Sequence, residues 1–90
     1  MRVRTVTRAG REIVLTNREF SLLAALAEAS PRPVPKTMLV ERVWDQHFDS
    51  GTNVLNVYIN YLRKKIDLPG MRPLLHTLRG VGFALREEPP

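Results

Sequence analysis

Between Thr52 and Leu85 the chain passes from a strict helical period to two short apolar runs joined by a glycine turn. Few folds accommodate that order of patterns. Leu55, Ile59, Leu62 and Ile66 recur at intervals of four, three and four residues. At about 100° per residue they share one narrow stripe of a helix, expected over about 52–66, and the stripe has to face a core. The opposite side carries Asn53, Val57, Asn60, Tyr61 and Lys64, with Asn56 and Arg63 on one flank and Val54 on the other. No Asp or Glu occurs between Asp49 and Asp67. A solvated helix face usually mixes Glu with Lys for a few tenths of a kcal/mol per pair, so this omission suits a polyanionic partner.

The runs that follow are Leu74, Leu75 and Leu78 on one side of Arg79-Gly80-Val81-Gly82, and Phe83, Ala84 and Leu85 on the other. Two apolar strands around a glycine turn read as a hairpin with Arg79 near its tip. On these residues alone two readings stand. The glycines simply make a turn, or the turn presents a guanidinium that enters a minor groove or clamps a phosphate. A nucleotide-binding loop does not fit, because such a loop lies between a strand and a helix.

Ninety residues make one domain with a single modest core. Lys and Arg number 14 against 9 Asp and Glu, a net charge of +5, which favours anionic partners. Eleven of the 14 basic residues are arginine, whose planar fork suits phosphates and guanine edges and turns the expectation towards nucleic acid. The chain has no cysteine, so disulfides, thiolate zinc sites and a thiol nucleophile are excluded. No apolar run approaches the 18 or so residues of a membrane span, and no signal-peptide core is seen, so a cytoplasmic protein without a membrane partner is expected. His47 and His76 are the only histidines, and neither has an evident nucleophile beside it. An enzyme is not expected, nor a cofactor, and a metal site of His47 with Asp45 and Asp49 is the weaker reading of that loop.

The rest of the chain supplies a frame. VRTVT (3–7) and EIVL (12–15) are β-branched runs around Arg8-Ala9-Gly10-Arg11, which reads as an antiparallel hairpin. Thr16-Asn17-Arg18-Glu19 is a capping box. It opens a helix expected over 17–29 with Phe20, Leu23, Leu26 and Ala27 as its apolar stripe, stopped by Ser30-Pro31-Arg32-Pro33. A second helix is expected over 36–44, with Pro35 near its first turn and Leu39, Val40, Val43 and Trp44 inward. An acidic loop from Asp45 to Gly51 precedes the Thr52 helix, with Ser50 or Thr52 as N-cap. Pro69-Gly70 and Pro73 end that helix region, and Arg86 to Pro90 reads as a frayed tail.

Leu15-Thr16 with Glu19-Phe20, Val43-Trp44, Tyr58-Ile59 with Leu62-Arg63-Lys64-Lys65, and Thr77 with Arg79-Gly80-Val81-Gly82-Phe83 stand in one register over nearly the whole chain. In this order they closely resemble the C-terminal DNA-binding domain of the OmpR/PhoB-type response regulators. The resemblance implies an α+β fold, a winged helix-turn-helix of three helices with a short N-terminal antiparallel sheet and a C-terminal β-hairpin wing. It implies sequence-specific binding of double-stranded DNA, with the third helix in a major groove and the wing, about 77–83, at a neighbouring minor groove. Asn56 and Tyr61 fall where family members touch base edges, and Arg79 with Thr77 where the wing makes contact. Asn53, Val54, Val57, Tyr58, Asn60 and Arg63 fall where relatives contact phosphates or line the groove, Lys64 lies on the same free face, and Trp44 matches a residue near the DNA backbone. Asp45, Gln46, His47, Phe48, Asp49, Ser50 and Gly51 match the segment that touches RNA polymerase in activators of this type. The family also implies head-to-tail pairing on direct repeats and control by a histidine kinase through a receiver domain, which this chain lacks.

Two departures stand out. Many relatives carry arginine where this chain has Asn60 and Tyr61, so guanine readout there is not implied, and Tyr61 is left to pack on a thymine methyl or to bond a phosphate. The family's N-terminal platform usually has four strands, and only about two fit before Thr16. The chain is therefore expected to be a fragment cut between receiver and effector at an inserted Met1, with a free-standing regulator as the other reading, and its stability is expected to be lowered by the missing strands. A protein or RNA interaction module reusing the same fold is the alternative.

Overall fold

The computed structural model describes residues 3–44 and 54–87. Strands β1 (Val3–Arg8) and β2 (Arg11–Thr16) form an antiparallel hairpin in which Val6 faces Ile13 and Arg4 faces Leu15. Ala9 and Gly10 turn it with φ of 52° and 81°, the positive pair that a two-residue mirror-image turn demands. Helix α1 (Asn17–Ala29) follows at once, because Thr16 caps it. The Glu19 N–H donates to Thr16 Oγ1 at 3.2 Å and the Thr16 N–H donates to Glu19 Oε1 at 2.8 Å, so the expected capping box is closed. The helix ends at Ala29 before the Ser30-Pro31 peptide, as the proline pair dictates.

The buried face of α1 differs from the expected stripe. Leu22, Ala25 and Leu26 are buried along with Glu19, whereas Phe20 and Leu23 are only half-buried and Ala27 is exposed. The helix is covered on two sides. Phe20 and Leu23 pack against the edge of the core, and the Arg4 guanidinium of the β1–β2 hairpin sits 4.9 Å from the Phe20 ring centroid, so part of the Phe20 ring is covered by a second contact.

A two-residue strand β3 (Val34–Pro35), which no sequence pattern announced, precedes α2 (Lys36–Val43). Leu39, Val40 and Val43 point inward as expected. Trp44 is the C-cap and not the last helical residue, and it packs half-buried against the core. Helix α3 (Val54–Ile66) buries Leu55, Ile59, Leu62 and Ile66, the stripe read from the spacing. Burial of each such side chain contributes about 1.5–3 kcal/mol relative to exposure.

Strands β4 (Leu75–Leu78) and β5 (Gly82–Leu85) close the chain as a hairpin, and β3 pairs with the far side of β5 to give the sheet order β3-β5-β4. Thr77 faces Phe83 across β4–β5, and Pro35 faces Gly82 across β3–β5. Gly82 is required by this close approach: a Cβ there would lie 1.9 Å from the Val34 carbonyl oxygen. The core runs from Leu15 through Leu22, Leu26 and Leu39 to Ile59, Leu62, Leu75 and Phe83. Arg86 is not frayed, since its N–H donates to the Leu74 carbonyl at 2.8 Å and its guanidinium to the Pro31 carbonyl at 3.4 Å.

One carboxylate joins the end of α3 to the start of the β4–β5 hairpin. Asp67 Oδ1 accepts from the Leu74 N–H at 3.0 Å and Oδ2 from the Leu75 N–H at 3.2 Å. Arg8, reaching from β1, forms a 2.9 Å ion pair with the same Oδ1 and also donates to the carbonyls of Ile66 and Arg72. The direction in which the hairpin leaves α3 is thereby set from three elements.

Candidate nucleic-acid interface

With its stripe buried, α3 turns the remaining side chains outward. Asn56, Val57, Asn60, Tyr61 and Lys64 are exposed, and Val54, Tyr58 and Arg63 are half-buried on the flanks. The carboxylate-free face anticipated from the residue order is therefore a real surface. Its basic end coincides with the helix C-terminus, where Arg63, Lys64 and Lys65 also complement the negative end of the helix dipole.

The two flanks are held differently. On one, Tyr58 meets Trp44 edge to face at 5.3 Å between centroids and 75°, and Tyr61 at 5.4 Å and 71°. Such pairs are worth about 0.5–1.5 kcal/mol beyond burial, and they fix Tyr61 in place at the border of the open face. On the other, Arg63 bridges α3 to β4. Its Nε donates to the Leu75 carbonyl at 3.3 Å, one terminal nitrogen donates to Thr77 Oγ1, and the other to Asn60 Oδ1 at 3.5 Å. Three residues singled out from sequence, Asn60, Arg63 and Thr77, thus form one network between helix and hairpin.

The hairpin tip is a turn in which the Val81 N–H donates to the Leu78 carbonyl at 3.0 Å. Arg79 and Gly80 are its central residues, and the φ of 75° at Gly80 is what a type II turn needs at its third position. Arg79 is exposed there and, among the described residues, has no hydrogen-bond or ion-pair partner. Val81 beside it is 50% exposed.

Lys65 points away from this surface. Its Nζ lies 2.6 Å from Glu19 Oε1, a carboxylate 4% exposed. Burial raises the Glu19 carboxyl, but the hydrogen bond from Lys65, the Thr16 N–H and the Lys65 charge outweigh it and hold the group below its ordinary value of 4.5. Glu19, the one buried acid among the described residues, thus has its counter-charge beside it. No group of three His, Cys, Asp or Glu suited to a metal is present among the described residues. His76 bonds the Arg86 carbonyl at 3.0 Å through Nε2, a role within the hairpin. Asn53 and the loop Asp45 to Gly51, with the His47 metal reading and the Ser50 or Thr52 cap, lie outside the described residues.

Sequence reasoning missed Arg18, whose guanidinium stacks 5.2 Å above the Trp44 ring. It missed Lys65 as the partner of Glu19, and Asp67 as the anchor of the hairpin. The first two contacts join distant parts of the chain, and the third spans seven and eight positions across an irregular stretch. No local pattern announces them.

Residues 10–85 match the family described as "Transcriptional regulatory protein, C terminal". The response regulator MprA of Mycobacterium sp. (strain KMS) is 46% identical over 87 residues, which is 97% of this chain and 38% of MprA. The chain therefore spans well under half of that relative. The DNA-binding domain of CpxR from E. coli superposes with a TM-score of 0.78 at 27% identity, covering 93% of this chain and 84% of that one. The RstA DNA-binding domain of Klebsiella pneumoniae, solved in complex with the RstA box, gives a TM-score of 0.80 over 94% of this chain and 85% of that one, and at 23% identity it speaks for the fold alone. Motif register, core, carboxylate-free helix face and hairpin agree with the same conclusion: the chain belongs to the C-terminal effector domains of transcriptional regulatory proteins, the OmpR/PhoB-type winged-helix DNA-binding domains.

Proposed function

We propose that this domain regulates transcription by lying with α3 in a major groove and the β4–β5 wing at the adjacent minor groove of a duplex. The observation that carries the reading is the exposed, carboxylate-free face of α3 continuous through Arg63 and Thr77 with the exposed Arg79. A 13-residue helix is about 20 Å long, and a major groove about 12 Å wide admits it.

The labour divides by chemistry. Asn56 can bond the adenine edge in two places, Val57 can meet a thymine methyl, and Tyr61 is held where it reaches a methyl or a phosphate. Arg79 enters the minor groove, whose negative potential favours a guanidinium. Lys64, Val54, Tyr58, Trp44, Asn53, Asn60 and Thr77 set position along backbone and groove wall, and Arg63 keeps helix and wing in register. Within the longer regulator we place the domain in the cytoplasm, paired head to tail on direct repeats, with residues 45–51 towards RNA polymerase and a receiver domain answering a histidine kinase.

Titration of a labelled duplex at several salt concentrations tests this. Binding that neutralises Z phosphates gives a slope of log K against log salt near −0.9Z, and Arg79→Ala should weaken binding by about 1–3 kcal/mol. A flat salt response together with unchanged affinity of the Arg79 variant would overturn the reading.

A further inference from the structure

The free face of α3 has two borders, and only one of them carries an assigned cation. Arg63 and the wing stand on one side. Tyr58, five positions earlier, is turned about 140° away from Arg63 around the helix and marks the other side. There Tyr58 meets Trp44 and Trp44 lies beneath the Arg18 guanidinium, so a row of three rings and a cation leads from the open face of α3 to the first turn of α1.

We propose that Arg18 is a phosphate clamp, binding a backbone phosphodiester of the duplex on the border of α3 opposite the wing. The inference rests on the DNA-binding reading above and extends the interface to a helix that the sequence did not implicate. Arg18 is exposed and, among the described residues, its guanidinium has neither a hydrogen-bond nor an ion-pair partner. The Arg18 Cζ lies 5.2 Å from the Trp44 ring centroid, and the guanidinium N–H donors, the part that grips a phosphate, make no hydrogen bond among the described residues. The cation lines an open cleft of about 550 Å³ between α1, α2 and α3, with Asn17, Ser21, Val54 and Tyr61 around it. Glu19 is the one acid among the described lining residues, and its carboxylate is already engaged by Lys65 and Thr16. Among the described residues of the cleft, no other carboxylate faces Arg18.

Such a clamp reads no base. Its loss should weaken binding to a preferred duplex and to a random duplex by the same factor, and remove about one phosphate from the salt response, a change of about 0.9 in slope. The test compares the wild-type chain with Arg18→Ala, Arg18→Lys and Arg32→Ala on a duplex enriched from a random pool and on a scrambled one. Arg32 is exposed in the turn before β3 and controls for lost charge alone. Arg18→Ala should bind both duplexes about ten-fold more weakly with the flatter slope, a loss in the usual range for a charge-assisted contact. Arg18→Lys should keep the slope and recover part of the affinity, because the charge remains without the stacked fork. Arg32→Ala should match wild type in slope. A steep wild-type slope that Arg18→Ala leaves unchanged, or an Arg18→Ala loss no larger than that of Arg32→Ala, overturns the clamp and leaves the DNA-binding reading intact. Failure of the wild-type chain to bind any duplex overturns both.

Discussion

Replacing Gly82 by Ala should dislodge β3 from the wing. The added Cβ would sit 1.9 Å from Val34 O, 2.8 Å from Val34 C and 3.0 Å from Pro35 Cα, all backbone atoms that no rotamer change can move. Reaching ordinary contact at 3.4 Å requires β3 to withdraw by about 1.5 Å. That shift stretches any interstrand hydrogen bond past its useful range, at about 1 kcal/mol for each one lost. It also opens space beside Val34 and Phe83, which are 3% and 1% exposed. With the φ of 156°, which side chains rarely adopt, adding about 1 kcal/mol or more, the total is about 3 kcal/mol. A domain of this size holds roughly 5–13 kcal/mol in all. Urea unfolding followed by Trp44 fluorescence should show the midpoint falling by about 2 M, given a slope of about 1.5 kcal/mol per molar. Gly80→Ala is the matched control: its φ is 75° but nothing lies within 4 Å, so it should cost only the about 1–2 kcal/mol of a left-handed residue. If Gly82→Ala cost no more than Gly80→Ala, the close approach of β3 would not be what demands glycine.

Arg63→Lys keeps a charge but loses the fork that spans Leu75 O, Thr77 and Asn60. Duplex affinity of this variant should fall several-fold, and Arg63→Ala should change the salt slope by less than about half of one phosphate contact, whereas a drop in slope near 0.9 for Arg63→Ala would make Arg63 a direct phosphate contact instead. Glu19→Gln should destabilise the domain by about 1–2 kcal/mol at neutral pH, since a buried charge-assisted pair is lost and Lys65 is left partly solvated. Because the Glu19 carboxyl is lowered in the fold, its contribution is fully present above its ordinary 4.5 and fades as pH falls through the lowered folded value. The stability gap between wild type and Glu19→Gln, measured by urea at pH 7 and in steps below 4.5, should therefore narrow in acid, and a gap that widens there would refute the assignment.

The parts of this molecule that were legible in the sequence are those that depend on near neighbours. The α3 stripe at 55, 59, 62 and 66 packs on one side only, so its period survives intact. The capping box of Thr16 and Glu19 closes within four residues. The α1 stripe was legible only in part: Leu26 is buried and Phe20 and Leu23 pack against the core, but the helix is covered on two sides, so Leu22 and Ala25 are buried as well and Ala27 is exposed. Strand β3 was invisible since two residues, one of them proline, carry no period and exist as a strand only through pairing with β5. The candidate site divides in the same way. Its open face and the exposed Arg79 follow from local pattern. The Arg63 to Thr77 bridge, the Asp67 anchor and the Arg18 stack on Trp44 span 14, 7 and 26 positions and are created by the fold.

Selection of bound sequences from a random duplex pool, run side by side for the wild-type chain and Asn56→Ala, bears most directly on the idea that the outer face of α3 reads bases. The wild-type chain should enrich one repeated half-site, and Asn56→Ala should lose its preference at a single position of each half-site while keeping the others. No enrichment by the wild-type chain, or an identical half-site for both proteins, would contradict a base-reading role for that face.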